Sequence, residues 1–335
     1  MSRRGTAAMD IDATRRAKAE LAAFLRESQA GRPSAQAVGG PLVSLGLAPR
    51  PDGGHAVALR YRLGVPTARM LARRAVEHAG PTVDVRRTGR ISAVPATGPR
   101  PPVVTARAVG QTGRVRPLRP GVSVAHVDVT AGTLGGFVTV DGRLHALSNH
   151  HVLVGSPAAR EGDPVLQPGP ADGGRDPQDR VGALAGFVPL EAGTTALVDA
   201  AVASLQEEEV DLGYPSGPLT GTATVAGGET VEKIGRTTGT TQGRVTAFEL
   251  DDVVVGYGPE VGDVSFDDQI EVEGLAAGPF SRGGDSGSLV YVPGTGLAIG
   301  LLFAGSETGG ENGAGLTYLN PIRTVLEALG AELRT

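Results

Sequence analysis

From residue 121 to the end of the chain, short apolar segments alternate with glycine-containing turns, and this pattern constrains the fold most strongly. Each segment has the length and the Val, Leu and Ile content of a β-strand. Two sets of six such segments predict a mainly β architecture, either two β-barrels or a sandwich. The first set covers 122–129, 132–140, 143–149, 163–167, 181–189 and 199–205, and the second covers 231–235, 243–256, 264–273, 287–292, 297–304 and 315–319. Apolar residues over 322–329 predict a short helix at the end.

The preceding residues follow a different pattern. Residues 11–28 have apolar side chains at helical spacing, and the next periodic segments predict a strand, a helix and a strand in a small βαβ-like module. The segment 95–120 is rich in Pro and Arg without apolar periodicity, so we expect an extended linker. The expected organisation is a basic N-terminal module over 1–94, this linker over 95–120, a first barrel over 121–215, and a second barrel with the C-terminal helix over 216–335.

Composition excludes several classes of protein. The chain has no Cys, which excludes disulfides, thiolate metal sites and a Cys nucleophile. No run approaches the roughly 18 consecutive apolar residues of a transmembrane helix, and the first residues lack the apolar part of a secretion signal. We therefore expect a cytoplasmic protein without membrane contact.

The net charge of −5 hides an asymmetry. Residues 1–119 carry 21 Lys and Arg against 7 Asp and Glu, whereas residues 120–335 carry 10 against 29. A basic segment could bind nucleic acid, but this one lacks the interleaved aromatic residues of a base-stacking surface. Docking on the chain's own acidic half, or on a second copy in a homo-oligomer, is the favoured interpretation.

One glycine-rich motif indicates chemistry. The run Gly-Gly-Asp-Ser-Gly-Ser spans 283–288 and precedes an apolar strand segment. A nucleophilic serine needs its Oγ on a tight turn with backbone N–H groups free to bind an oxyanion, and flanking glycines allow that backbone. A plain turn between two strands would have the same composition, so the motif alone leaves both interpretations open.

All six histidines precede Ser286, so any base must come before the nucleophile in the chain. This excludes the order Ser, acid, His of α/β-hydrolases, and Ser288 stands where their motif has a second glycine. The subtilisin order would need Asp128 or Asp141 in an α/β fold, which this strand-rich half does not suggest. The order His, Asp, Ser remains.

Two further segments fit this order. His150 and His151 end a strand segment, where a base can project into a cleft, although a lone histidine there is more commonly a core residue. Asp199 lies among apolar and small residues, and a buried carboxylate needs a hydrogen-bonding or charged partner. Orienting a histidine would satisfy Asp199, and capping a local turn would do so too.

Together, three segments resemble the triad segments of trypsin-like serine proteases with the chymotrypsin fold. They are Leu-Ser-Asn-His-His-Val over 147–152, Asp-Ala-Ala-Val over 199–202 and Gly-Asp-Ser-Gly over 284–287. The first is similar to the Thr-Asn-x-His-Val form of HtrA-like bacterial members, which aligns His151 rather than His150 with the base. Segments over 118–135, 165–169 and 233–239 resemble a bacterial group related to the plant NARROW LEAF 1 proteins.

The resemblance implies a double β-barrel, here preceded by a small α/β module, and a serine endopeptidase that acts on protein or peptide substrates without metal or cofactor. In such an enzyme Ser286 would attack the scissile carbonyl, His151 would carry the proton and Asp199 would orient His151. The N–H groups of Gly284 and Ser286 would form the oxyanion hole.

The resemblance also implies a specificity pocket. Phe280 would lie near its floor with Ser281 beside it, and Phe303, Ala304 and Gly305 would form the wall strand that binds substrate backbone. Trypsin has an Asp at the floor, so a preference for Arg or Lys is not implied here, and we expect a small or apolar residue before the scissile bond. Ordinary core packing is the alternative for both Phe side chains.

Regulation is expected as well. Trypsin-like zymogens need a freshly cut N-terminus to pair with the Asp before the nucleophile, here Asp285, yet about 120 residues precede this barrel. We therefore expect a latent protease whose active loop is set by the N-terminal module, an oligomer contact or a cut within the linker. A silent binding or scaffold protein and a nucleic-acid-associated regulator stay open as other functions.

Overall fold

The computed structural model describes residues 9–29, 41–93, 111–306 and 308–335. Strands β1 (Val43–Pro49) and β2 (His55–Arg62) of the N-terminal module are antiparallel. Strand β3 (Val83–Thr88) joins β2 in parallel after a crossover through α2 (Pro66–Ala79), which is the predicted βαβ-like arrangement. Leu21 and Leu25 of α1 pack with Leu71 of α2 against this sheet in one apolar cluster. The elements are α1 (Ile11–Gln29), β1 (Val43–Pro49), β2 (His55–Arg62), α2 (Pro66–Ala79), β3 (Val83–Thr88) and β4 (Ile91–Ser92).

The next elements form an open barrel, which we call the first barrel. They are β5 (Ser123–His126), β6 (Gly132–Thr133), β7 (Gly136–Val140), β8 (Arg143–Ser148), α3 (His150–Leu153), β9 (Pro164–Leu166), β10 (Arg180–Phe187) and β12 (Ala201–Leu205). The short strand β11 (Thr195–Ala196) precedes β12 in the chain but pairs in parallel with residues 265–266 of the second barrel. The antiparallel order is β7–β8–β12–β10–β9–β5–β6. Phe137, Leu153 and Val165 lie at its core.

The remaining strands, apart from the last one, belong to the second barrel, and six of them close on themselves. The antiparallel ring runs β14–β15–β18–β21–β20–β19 and returns to β14. Val245, Val272 and Val290 are fully buried inside it. The elements are β13 (Gly221–Thr222), β14 (Thr230–Gly235), β15 (Gly239–Asp251), β16 (Val253–Gly256), β17 (Asp263–Phe266), β18 (Gln269–Gly274), β19 (Leu289–Val292), β20 (Leu297–Ser306), β21 (Thr317–Pro321), α4 (Ile322–Leu329) and β22 (Ala331–Leu333).

The structure therefore confirms a mainly β fold with two barrels and a short C-terminal helix. Ile322 and Val325 of α4 are fully buried, and β22 then pairs with β7 of the first barrel. This return ties the end of the chain to the first barrel. Within the described ranges, no helix is both long and apolar enough to cross a membrane.

The N-terminal module is continuous with the second barrel. Strand β1 pairs with the long strand β15, and β4 lies between β16 and β20. Charge supports this contact, since Lys18 lies 2.6 Å from Asp251, and the buried Arg60 lies 2.9 Å from the fully buried Glu271. These ion pairs confirm that the basic segment docks on the chain's own acidic half.

The predicted linker falls partly outside the described residues, which omit 94–110. Its remaining residues lie against the first barrel, where Gln111 bridges to Val122 and Leu118 bridges to Val210. The division of the chain at this linker stays a prediction.

Candidate active site

The pairing of β8 with β12 brings the candidate base and acid to one end of the first barrel. Ser148, the last residue of β8, lies opposite Ala201, the first residue of β12. In an antiparallel pair, the residues that follow one strand lie beside those that precede the other. His151 and Asp199 therefore meet although 48 residues separate them in the chain.

The contact between these two side chains is short and buried. Nδ1 of His151 lies 2.6 Å from Oδ2 of Asp199, and the backbone N–H of His151 donates to Oδ1 at 3.2 Å. The hydroxyl of Tyr257 donates to Oδ2 at 2.8 Å. An ionised carboxylate is acceptor-only, so Nδ1 of His151 carries the proton of this hydrogen bond.

Asp199 has no exposed surface, and its ionisation reflects opposing effects. Burial alone would raise the pKa of the Asp199 carboxyl, but the charge of His151 and the hydrogen bonds from His151 and Tyr257 outweigh it and hold the pKa below its ordinary value. Burial and the Asp199 charge together raise the pKa of Tyr257 well above its usual range, so the phenol stays a donor.

Two asparagines fix the backbone of Asp199. The side-chain amide of Asn149 donates to the carbonyl of Asp199 at 2.7 Å, and the side-chain oxygen of Asn320 accepts from its N–H at 2.9 Å. Asn149 directly precedes the two histidines, and Asn320 belongs to β21 of the second barrel. The position of the carboxylate is therefore tied to both barrels.

The second histidine has a different environment. The ring of His150 packs edge-on against Phe187, with 5.4 Å between ring centroids. Burial is the main cause that lowers the pKa of His150 below its ordinary value. Of the two neighbouring histidines, His151 is the one whose ring meets a carboxylate.

Ser286 lies on a turn that immediately precedes β19. Its neighbours Gly284 and Gly287 have φ values of +92° and +94°, which L residues with a Cβ rarely adopt. Ser286 itself is only 4% exposed. The glycines that the sequence motif supplies are therefore required for this turn.

The backbone of the turn presents two donors without acceptors. The hydroxyl of Thr237 donates to the carbonyl of Gly283 at 2.7 Å, and the hydroxyl and N–H of Ser288 donate to the carbonyl of Asp285 at 2.7 and 3.0 Å. Because a trans peptide directs its N–H opposite to its carbonyl, these bonds orient the N–H groups of Gly284 and Ser286. Within the described residues neither N–H has an acceptor, although both residues belong to the buried class.

Thr133 connects this turn to the first barrel. Its N–H donates to the carbonyl of Ser286 and its hydroxyl donates to the carbonyl of Gly284, both at 2.8 Å. Its own carbonyl accepts from the hydroxyl of Ser148 at 2.8 Å, three residues before His151. One residue of β6 thus holds both the serine turn and the end of β8.

Both carboxylate oxygens of Asp285 accept two hydrogen bonds each. Its Oδ1 accepts from the N–H groups of Thr237 and Thr238, and its Oδ2 accepts from the Thr238 hydroxyl and the Arg282 N–H. Nζ of Lys233 lies 3.4 Å from Oδ2, and both side chains are fully buried. Burial lowers the pKa of the Lys233 ammonium, although the Asp285 charge opposes this effect.

Thr133 links the serine turn to the histidine segment, but no hydrogen bond joins Ser286 Oγ to Nε2 of His151. Nε2 of His151 is buried and has no hydrogen-bond partner within the described residues, Ser286 Oγ included. A buried polar atom without a partner requires an explanation, and catalytic hydrogen bonds in unliganded proteins are commonly long.

A cleft of about 550 Å³ opens beside Ser286. Ser281, Ala304 and Gly305, which the resemblance assigns to substrate binding, lie along it. Phe280 and Phe303 instead pack in apolar clusters inside the second barrel and are almost fully buried. The other lining residues are small, apolar or cationic: Ala277, Gly278, Pro279, Arg282, Gly283, Leu302, Ser306 and Ala314.

Several residues of the site were not identified from the sequence. Tyr257, Thr133 and Asn320 contact the candidate triad segments from distant parts of the chain. Lys233 and Thr237 lie within the segment 233–239 that the resemblance covers, and this is the one signal that could have identified them. Across the described part of the chain, no group of three or more His, Asp or Glu side chains is placed to hold a metal ion.

Comparisons with known proteins give structural likeness only. No family model matches the chain, and no curated protein matches it. Among solved structures, the chain is similar to Thermobifida fusca Protease A, with 21% identity, 65% of this chain and 98% of that chain covered, and a TM-score of 0.45.

Two further solved structures give similar values. A glutamic acid-specific serine protease has 22% identity, with 65% of this chain and 100% of that chain covered and a TM-score of 0.46. Nocardiopsis protease has 20% identity, with coverage of 65% and 99% and a TM-score of 0.46. From its own topology, with His151 and Asp199 at the end of one β-barrel and Ser286 before a strand of the other, the chain has the double-β-barrel fold of the chymotrypsin type.

Proposed function

We propose that this protein is a serine endopeptidase that hydrolyses peptide bonds through His151, Asp199 and Ser286. The observation that carries the proposal is the pair of N–H groups without acceptors at the buried residues Gly284 and Ser286, on a turn that Thr133 links to the end of β8, three residues before His151. Such donors are what a tetrahedral oxyanion requires, whereas an ordinary buried turn would pair them.

In the first half of the reaction, Ser286 Oγ attacks the carbonyl carbon of the scissile bond and its proton passes to Nε2 of His151. Asp199 holds the Nδ1 proton and stabilises the imidazolium that forms. General-base help of this kind contributes about 10²- to 10⁴-fold. The negative oxygen binds to the two N–H groups, and losing one such donor costs about 3 kcal/mol of transition-state stabilisation.

In the second half, His151 returns the proton to the leaving amine as the C–N bond breaks, and Ser286 keeps the acyl group. A water molecule then attacks the ester carbonyl while His151 again takes a proton. The carboxylic acid leaves, and Ser286 Oγ recovers its hydrogen.

For specificity, we propose a small or apolar residue before the scissile bond. Among the described residues, the lining of the cleft beside Ser286 has no carboxylate, and its one charged side chain is that of Arg282. Among these residues a cationic substrate side chain would find no partner, and the Arg282 guanidinium would repel it. Ser281, Ala304 and Gly305 are the proposed substrate contacts, without Phe280 and Phe303.

Latency of the enzyme stays a prediction. The surroundings of Asp285 indicate whether activation needs a cut in the linker. In the zymogen argument, a new N-terminus provides the cation that pairs with this carboxylate. Here Lys233 already occupies that position in the uncut chain. We therefore propose that the serine turn is assembled without a cut in the linker.

The two neighbouring histidines offer a matched test. With an activated single-residue ester, the wild-type chain should release about one equivalent of alcohol in a rapid burst, because the acyl-enzyme accumulates. His151→Gln should lose the burst, and His150→Gln should keep it. Equal bursts from both variants, or none from the folded wild type, would refute the proposed mechanism and favour a silent binding protein.

A further inference from the structure

Strand β20 lies beside the turn that carries Ser286. The N–H of Gly287 donates to the carbonyl of Leu302, and the N–H of Leu302 donates to the carbonyl of Ser288, at 2.8 and 2.9 Å. Beyond Leu302, β20 continues to Ser306 along the cleft. An extended peptide that adds antiparallel to β20 on the side of Ser286 runs toward the serine turn, which is how strand addition presents a backbone.

The other edge of the same segment is already used. Ala304 pairs with Tyr318, and Gly305 pairs with Thr317, both in β21. A substrate backbone can therefore reach this part of β20 only from the side of Ser286.

The chain's own β4 occupies that side. Ser92 pairs with Gly305 and Ile91 pairs with Ser306, in antiparallel register. The direction of β4 is therefore from Ser306 toward Ala304, which is the direction of a bound peptide approaching Ser286.

Ala93, the residue after β4, is also packed against the second barrel. Ala93 has no exposed surface and lies in one apolar cluster with Phe303, Ala304 and Tyr257, the donor to Asp199. The side of β4 away from β20 is covered too, since Ser92 pairs with Gly256 in β16. A segment with small side chains thus fills a slot between two strands of the second barrel.

The module anchors β4 at this position. The N–H of Gly89 donates to the carbonyl of Thr308 at 2.9 Å, and Thr88 bridges to Gly309. Arg86 lies 2.8 Å from Glu273 and 3.0 Å from Glu311. The residues just before β4 are therefore fixed to the second barrel on the same side as the cleft.

We infer that residues 91–93 are an intramolecular peptide ligand that competes with substrate for the edge of β20. This inference rests on the proposed endopeptidase function and names its regulation. The serine turn is complete, but a polypeptide substrate must displace β4 to pair with Gly305. A small ester that reaches only Ser286 and the cleft does not need that edge. The same slot favours substrates with small side chains at the positions that Ser92 and Ala93 occupy.

The test compares two substrates on the full chain. One is a single-residue ester. The other is a fluorogenic peptide with four residues before the scissile bond, and its second and third residues, counted back from that bond, are small. Ser92→Pro removes a backbone N–H from β4, Ala93→Arg cannot fit the closed slot, and Ser92→Ala is the matched control. If β4 is displaced in about 1–10% of molecules, releasing it should raise kcat/KM for the peptide about 10- to 100-fold, mainly through KM. Ester turnover should change less than about twofold.

Each other outcome is decisive. Normal ester turnover with unchanged peptide kinetics in both Ser92→Pro and Ala93→Arg overturns the inference and leaves the proposed function intact. Loss of both activities in the two variants, with unchanged thermal unfolding, makes β4 a part of the site and also overturns the inference. Absence of ester turnover in the wild type overturns the proposed function and, with it, this inference.

Discussion

Lys233 and Asp285 form an ion pair of 3.4 Å in which neither side chain has exposed surface. Lys233 also donates to the carbonyl of Gly239 at 3.0 Å and to the hydroxyl of Thr238. The pair joins β14 to the turn that carries Ser286, so one buried charge supports the backbone geometry of the candidate oxyanion hole.

Removal of this lysine should therefore affect both stability and activity. Lys233→Met leaves the Asp285 carboxylate buried without a counter-charge, and breaking a buried pair in this way costs about 3–5 kcal/mol. The free energy of unfolding from urea titration should fall by that amount, and burst amplitude should fall with it. Arg73→Met is the matched control, since the Arg73 side chain is 76% exposed. Its free energy of unfolding should stay within about 0.5 kcal/mol of the wild-type value. A Lys233→Met variant as stable as Arg73→Met would contradict this role.

The Tyr257 hydroxyl should matter for Asp199 beyond simple packing. Tyr257→Phe removes a hydrogen bond to a buried charged group, which is worth about 1.5–3 kcal/mol. We expect ester turnover to fall about tenfold because the carboxylate that orients His151 becomes less well held. Tyr318→Phe is the comparison, since its hydroxyl also donates to a buried carboxylate, that of Glu271 at the contact with the N-terminal module. It should lose stability but keep ester turnover within about twofold, and equal losses of turnover would count against a positioning role for Tyr257.

Replacement of the acid should leave the fold but remove the chemistry. Asp199→Asn cannot hold the required His151 tautomer, and the comparable change in trypsin-like sites lowers kcat about 10⁴-fold. Single-turnover acylation with the ester measures this directly. Acylation within about tenfold of wild type would show that Asp199 is structural only.

The same carboxylate should contribute to acid stability. The pKa of Asp199 is held below its ordinary value of 3.8, so its contribution is complete above that pH and is lost as pH falls through the lower folded-state pKa. The unfolding free energy of the wild type should therefore decrease more steeply below about pH 4 than that of Asp199→Asn. Parallel curves from chemical denaturation between pH 5 and pH 2 would contradict the assignment.

The contact between the module and the second barrel depends on another buried pair. Arg60 lies 2.9 Å from Glu271, whose carboxylate also accepts from Thr246 at 2.8 Å. Glu271→Gln should destabilise the chain by about 3 kcal/mol, because the buried Arg60 guanidinium loses its fully buried counter-charge and keeps only the 3.5 Å contact with the partly exposed Asp84. Asp263→Asn, which breaks the exposed pair with Arg90, should cost less than about 1 kcal/mol. Equal urea midpoints for the two variants would refute this expectation.

Local sequence patterns predict much of this molecule. Alternating apolar residues and glycine turns indicate the barrels, and the motif around Ser286 identifies its turn because glycine is needed on both sides. The segments with His151 and Asp199 were predicted by resemblance, and the register of β8 and β12 explains their meeting. Local spacing is informative wherever a strand end or a tight turn determines the geometry.

The rest depends on contacts between distant residues. Nothing near Tyr257 in the chain indicates that its hydroxyl reaches Asp199, 58 residues away. Strand β4 is two residues long, too short for any periodic signal, and its partner is more than 200 residues later. Phe280 and Phe303 match the family positions of the pocket, yet only the packing of the barrel decides that they lie in the core.

We propose Ser286 as an assembled nucleophile next to a preformed oxyanion hole. Intact-mass spectrometry of the folded chain before and after reaction with a fluorophosphonate tests this most directly, because the probe needs only the serine, the base and the two N–H groups. We expect a single adduct that fragmentation assigns to Ser286, on an uncut wild-type chain, and no adduct on Ser286→Ala. An unmodified wild type, or an adduct that persists on Ser286→Ala, would contradict it.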